Sequence, residues 1–168
     1  MEGVLLVVAV MTTIISPPGT FVAMFSKACE YGIRAMVCIA ACGSKEDGRL
    51  NLKEVAKRTD SPEAFTAKVL QQLSRAGLVR SVKGPNGGFE MSVAQAKKVR
   101  LSHVVAAIDG DAIYTGCALG LHQCDASKPC PLHDHFLSIR EDLRKMLERT
   151  SVHDLMSGLK EGETYLKR

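Results

Sequence analysis

Residues 61–92 read S-P-E-A-F-T-A-K-V-L-Q-Q-L-S-R-A-G-L-V-R-S-V-K-G-P-N-G-G-F-E-M-S, and this stretch decides the fold. Ser61 followed by Pro62 is a helix start signal, with Ser61 expected as N-cap and Pro62 at the first helical position. Phe65, Val69, Leu70 and Leu73 then recur at helical spacing, and Gly77 ends a helix expected to run to Ala76. Leu78, Val79 and Val82 read as a strand. Gly84–Gly88 (G-P-N-G-G) is a turn that needs positive φ, and Phe89–Ser92 returns as a second strand. A capped helix followed at once by a hairpin is the second half of a winged helix.

Upstream, Leu52–Thr59 (L-K-E-V-A-K-R-T) reads as a short amphipathic helix with Leu52, Val55 and Ala56 inward, broken at Asp60. Two helices across a tight turn make a helix-turn-helix. Before them, Ser26–Cys42 is an apolar helix carrying Ala28, Ile33, Met36, Val37, Ile39 and Ala40, ended by Gly43 and a polar loop, Ser44–Arg49. Cys29, Cys38 and Cys42 lie on this helix and read as packing thiols. Residues 1–23 are apolar from Val4 to Ile15, too short for a comfortable transmembrane helix. Glu2, with no Lys or Arg beside it, is the wrong sign for a secretory leader. They read as an extension ahead of a protein that begins at Met24, so no membrane association is expected.

Charge is uneven. Residues 24–100 carry 14 Lys and Arg against 7 Asp and Glu, whereas residues 101–168 carry 8 against 10. A basic first half suits a polyanion. Arg75, Arg80 and Lys83 lie on the approach and tip of the wing, where they can meet phosphates. The division expected is a DNA-binding domain over 24–100, and a cysteine loop with a dimerisation helix over 101–168. That second part opens with a short apolar helix, Ser102–Ile108. The long helix runs from His133 to about Thr150, with Phe136, Ile139, Leu143, Met146 and Leu147 as its apolar seam. Ser151 caps one more turn, Val152–Met156, and Gly158–Arg168 reads as a polar tail. The fold class expected is mainly α with a small β component.

Between these helices, Cys117, Cys124 and Cys130 are spaced C-x6-C-x5-C, with His133 three residues later. Gly, Pro, Asp and Ser fill the intervening positions, so the thiols can converge. Thiolates are soft ligands for iron–sulfur clusters, zinc or copper, and imidazole can complete such a set. A reducing cytoplasm is expected, where clustered cysteines are metal ligands more often than bridges. No G-x-x-x-x-G-K loop and no Ser/His/Asp grouping occurs, so neither an enzyme nor a small-molecule substrate is indicated.

From Met24 to about Met156 the chain resembles the Rrf-two family of bacterial winged-helix regulators. The resemblance rests on Tyr31-Gly32-Ile33-Arg34-Ala35-Met36, on Leu73-x-x-Ala76-Gly77-Leu78-Val79, on the wing Ser81–Phe89 and on the three cysteines with Cys130-Pro131-Leu132-His133. It implies a homodimer on a double-stranded DNA operator, its long helices crossing at the interface, with an iron–sulfur cluster on Cys117, Cys124 and Cys130. For the fourth ligand it offers His133 with a 2Fe–2S cluster, the favoured assignment, or Glu30 from the other subunit with a 4Fe–4S cluster. Ala64, Thr66, Lys68, Gln71 and Gln72 on the recognition helix, with Arg80 and Lys83 on the wing, are the expected DNA contacts. Members that read DNA through a Glu-Gln pair have Ala67-Lys68 here, so the operator is expected to differ.

Assembly or loss of a cluster would order or release a loop that sets the spacing of the two recognition helices. The competing readings are a zinc-dependent or thiol-redox winged-helix regulator, an iron–sulfur carrier without DNA binding, and a membrane-anchored sensor.

Overall fold

The computed structural model describes residues 24–43 and 48–160. The expected extension over 1–23, most of the polar loop before Arg49 and the end of the tail lie outside them. Among the described residues no helix is long and apolar enough to cross a membrane.

Ser26 caps α1 (Lys27–Cys42), its Oγ accepting from the Cys29 amide at 3.1 Å. Asn51 caps α2 (Leu52–Thr59), its side chain accepting from the Glu54 amide at 2.9 Å. Each cap satisfies an amide that the first helical turn leaves without a partner. Asp60 then takes a left-handed conformation, φ 54°, and turns the chain into α3 (Glu63–Arg75). Here Pro62, not Ser61, is the N-cap, and no side chain caps α3. The Ser61 hydroxyl is engaged elsewhere, with Thr59 Oγ1 at 2.8 Å and Thr66 Oγ1 at 2.6 Å.

The hairpin follows as expected but shorter. β1 (Arg80–Val82) pairs antiparallel with β2 (Gly88–Glu90) in the register Arg80↔Glu90, Ser81↔Phe89, Val82↔Gly88. Leu50 bridges to Phe89 through both backbone hydrogen bonds, so the turn before α2 forms a third edge of the wing. Gly88 is required there: a Cβ would lie 2.4 Å from the Leu50 carbonyl oxygen.

Two short helices escape the periodicity reading, α4 (Val93–Lys98) and α6 (Ala112–Thr115). Between them lies α5 (Leu101–Ile108). After the cysteine loop come α7 (His133–Arg149) and α8 (Val152–Lys160). The expected polar tail therefore begins late, because residues 158–160 continue the last helix, with Leu155 and Leu159 packed on the core.

That core gathers Met36, Val37 and Ile39 of α1, Val55 of α2, Val69, Leu70 and Leu73 of α3, Val104 of α5, and Val152 and Met156 of α8. Gly32 lets the helices close: a Cβ there would meet Ile108 Cδ1 at 2.3 Å and Val69 Cγ1 at 3.4 Å. Tyr31 meets the Phe65 ring edge-on, centroids 5.6 Å apart, which ties α1 to α3. A second cluster of Cys29, Leu101, Val105 and Leu147 roots α7 on the domain. Leu101 N donates to Thr150 O and Val152 N to Val99 O, both at 3.0 Å, so the chain leaves and re-enters the domain side by side.

Candidate DNA-reading face and cysteine loop

Along α3, burial of Thr66, Val69, Leu70 and Leu73 turns the opposite face outward, and Ala64, Lys68, Gln71 and Gln72 are exposed on it. Thr66 is the exception among the expected contacts. It is 2% exposed, and its hydroxyl donates to the Pro62 carbonyl at 2.9 Å while meeting Ser61, so it braces the turn and does not reach a groove. Gln71, Ser74, Arg75 and Lys83 share a hollow with Leu52, Ala67, Ser81 and Phe89, between the outer face of α3 and the wing.

On the wing, Lys83 is exposed and Arg80 pairs with Glu90 at 3.1 Å. Arg49 pairs with the same carboxylate at 2.9 Å and donates to the Asn86 carbonyl at 3.0 Å. Arg49 thus clamps the wing tip to the turn before α2. Sequence gave no signal for this, because the two partners lie 37 and 41 residues away.

The cysteine loop hangs between α6 and α7. Ser127 donates through its amide and hydroxyl to Asp125 Oδ1, at 2.8 and 2.7 Å, shaping the turn that follows Cys124. All three loop cysteines are half-exposed and free. His133, the first residue of α7, is buried, and its Nδ1 lies 3.4 Å from Cys124 Sγ. From two helical turns further on, Arg140 donates to Cys124 Sγ from both Nη atoms, at 3.4 and 3.3 Å, and to the Gly116 carbonyl. Arg144, one turn beyond, lies over the Tyr114 ring at 4.6 Å. Backbone hydrogen bonds from Leu119 and Leu121, aided by Cys130 and the Arg140 charge, hold the Cys117 thiol below its ordinary range.

The donor chemistry fits a thiolate-ligated centre: soft sulfurs, an imidazole and a cation to offset their charge. Cys124 stands with His133, and Cys130 is close enough to Cys117 to lower its thiol. Among the described residues no group of three or more His, Cys, Asp or Glu side chains forms a metal-binding set. Glu30 faces Lys27 at 2.7 Å and Arg34 at 3.9 Å on its own helix. Cys29 is fully buried, in keeping with a packing role, and burial, with Asp109 nearby, pushes its thiol up to about 12.

The seam expected on α7 is only partly covered. Leu147 is buried in the second cluster, whereas Ile139 and Met146 stand exposed at 50% and 45%.

Comparison with known proteins identifies the family. A family model, Rrf2, described as an iron-dependent transcriptional regulator, matches residues 25–158. The chain is 31% identical over 137 residues to an HTH-type transcriptional regulator of Aquifex aeolicus (strain VF5), spanning 80% of this chain and 92% of that protein. It is 27% identical over 128 residues to the HTH-type transcriptional regulator IscR of Vibrio vulnificus (strain YJ016), spanning 76% and 74%. Among solved structures, the fold is similar to CymR, the global cysteine regulator of B. subtilis, with TM-score 0.63 and 20% identity over 79% of this chain and 95% of that one. It is equally similar to T. potens IscR, with TM-score 0.63 and 18% identity over 83% and 90%. These two structural neighbours share the winged-helix architecture. The chain belongs to the Rrf2 family and is a transcriptional regulator, not an enzyme.

Proposed function

We propose that the chain acts as a homodimer on double-stranded DNA in the cytoplasm, and that an iron–sulfur cluster on Cys117, Cys124, Cys130 and His133 sets its affinity for the operator. The observation that carries this is the Cys124–His133 approach at 3.4 Å, which puts the imidazole at the root of α7 against a loop thiol. Bound there, a cluster supplies a redox-active centre open to oxidants, nitric oxide and iron loss. His133 as fourth ligand favours the 2Fe–2S form. Glu30 of a second subunit is the alternative, with 4Fe–4S.

The rest is the work of the chain's own side chains. Arg140 joins the loop sulfur and the Gly116 carbonyl to α7, so the state of the loop bears on the helix whose exposed Ile139 and Met146 would meet a second copy. Two recognition helices must sit about one DNA turn apart, roughly 34–36 Å, so a change in how two α7 helices cross changes affinity. Ala64, Lys68, Gln71 and Gln72 read or approach base edges, while Arg80 and Lys83 meet phosphates.

The test is anaerobic purification followed by a visible spectrum with iron and sulfide counts. About two irons per chain supports the His133 site, and about four the Glu30 site. A colourless protein overturns the cluster reading. One observation favours a second reading, a zinc- or thiol-dependent regulator: among the described residues the loop thiols and His133 do not close into a set of three or more.

A further inference from the structure

We propose that Cys38 and Cys42, on α1, form a second thiol site that captures a soft, thiophilic metal or metalloid in the place the Arg58 guanidinium now holds. The site lies in the helix-turn-helix half of the chain and does not rest on the cluster reading.

The two cysteines are one helical turn apart on one face of α1, and both are half-exposed. Side chains at this spacing have Cβ atoms about 5–6 Å apart. A disulfide needs roughly 3.5–4.5 Å, so direct oxidation of the pair would require α1 to unwind. A single atom between the sulfurs does not. The structure already shows one group beside the pair: Arg58 Nη1 donates to Cys42 Sγ at 2.8 Å, and its charge is close enough to act on the Cys38 thiol. Arg58 reaches them from the last turn of α2, held by an ion pair with Glu54. One cation thus sits beside two soft sulfurs on neighbouring turns of α1. Soft sulfur pairs prefer a thiophilic ion to a hard guanidinium.

Burial and the neighbouring Cys42 sulfur hold the Cys38 thiol above its ordinary value. Cys38 therefore meets its ligand as a thiol, which suits condensation with a trivalent arsenical. Two S–H bonds and one As=O bond break, two As–S bonds form, and both protons leave with the oxygen as water. No electron is transferred. Capture frees Arg58 and exchanges a tie between α1 and α2 for one within α1, which loosens the first helix of the helix-turn-helix.

The probe is phenylarsine oxide on the full chain, read by peptide mapping, because the loop cysteines can also react. A full chain carrying Cys117→Ser, Cys124→Ser and Cys130→Ser serves as a second arm. One arsenic spanning Cys38 and Cys42 is expected in both proteins, lost to background in Cys38→Ser and in Cys42→Ser, with amide exchange in α2 rising severalfold on capture. Adducts confined to the loop cysteines, with Cys38 and Cys42 still fully alkylatable, would overturn the site. Capture with unchanged exchange in α2 would overturn the displacement of Arg58.

Discussion

Thr66 Oγ1 lies 2.6 Å from Ser61 Oγ, and that contact fixes the turn of the helix-turn-helix. Thr59 completes the chain of hydroxyls, its Oγ1 meeting Ser61 at 2.8 Å and donating to Val55 O at 2.8 Å. Three hydroxyls thus hold the turn together, although no side chain caps α3. Thr66→Val should lower unfolding free energy by about 1–3 kcal/mol, since the mutation strands buried hydroxyl partners. It should leave the order of preference among operators unchanged. Chemical denaturation and competition binding check the two halves, and a switched operator preference would restore Thr66 as a base contact.

On the wing, Lys83→Ala should weaken binding to all DNA sequences alike. The slope of log affinity against log salt should shrink by about one, the signature of a lost phosphate contact. Arg80→Ala should do less, because Glu90 already takes part of the Arg80 charge. Gln71→Ala should relax discrimination at one base pair, by about 1–3 kcal/mol. Fluorescence anisotropy over a salt series separates the three.

Arg140 holds the cysteine loop at two points. Arg140→Ala should raise amide exchange around Gly116 and Cys124 while leaving α3 and the wing unchanged. Arg140→Lys, with one compact cation in place of a fork, should fall between. Equal exchange in all three proteins would show that the Arg140 contacts carry no order.

Ser151 and Asp154 cap α8 reciprocally: the Asp154 amide donates to Ser151 Oγ at 3.1 Å, and Asp154 Oδ2 accepts from the Ser151 amide at 2.8 Å. The Ser151 amide and hydroxyl hold the Asp154 carboxyl below the usual carboxylate range. A depressed folded value means the contribution is present above the ordinary carboxylate pKa and disappears as pH falls through the folded one. Ser151→Ala should cost about 1 kcal/mol at neutral pH. Asp154→Asn should flatten that part of the acid limb, seen by denaturant unfolding from pH 7 downward.

Cys29 should resist alkylation in the folded protein, since its thiol is buried and pushed up to about 12, and should label only on unfolding. Pulse alkylation with mass mapping gives the answer directly, and fast native labelling would argue against its packing role.

Much of this fold is legible in 168 residues because the long helices carry periodic apolar faces and the wing carries a glycine-rich turn. Thr66 shows where the reading slips. It occupies the first place of the Thr66, Val69, Leu70, Leu73 face, but a hydroxyl-bearing side chain reads as surface until its partners are seen. The helices Val93–Lys98 and Ala112–Thr115 are too short to show a period. Arg140 had one available signal, its place seven residues after His133, and so on the same face of α7. The Arg58 contact with Cys42 had none, because it joins two helices whose relative placement only the packed core defines.

The paired hydrogen bonds of Val99 and Leu101 with Val152 and Thr150 have a consequence for how the molecule comes apart. Everything from Ser102 to Arg149 is an excursion whose mouth is stitched shut, so the span between its ends stays constant whatever its tip is doing. Melting the tip around Cys124 gains entropy locally and stretches nothing at the seam. The regulator can therefore lose the order of its cysteine loop many times over and still keep intact the body that grips DNA.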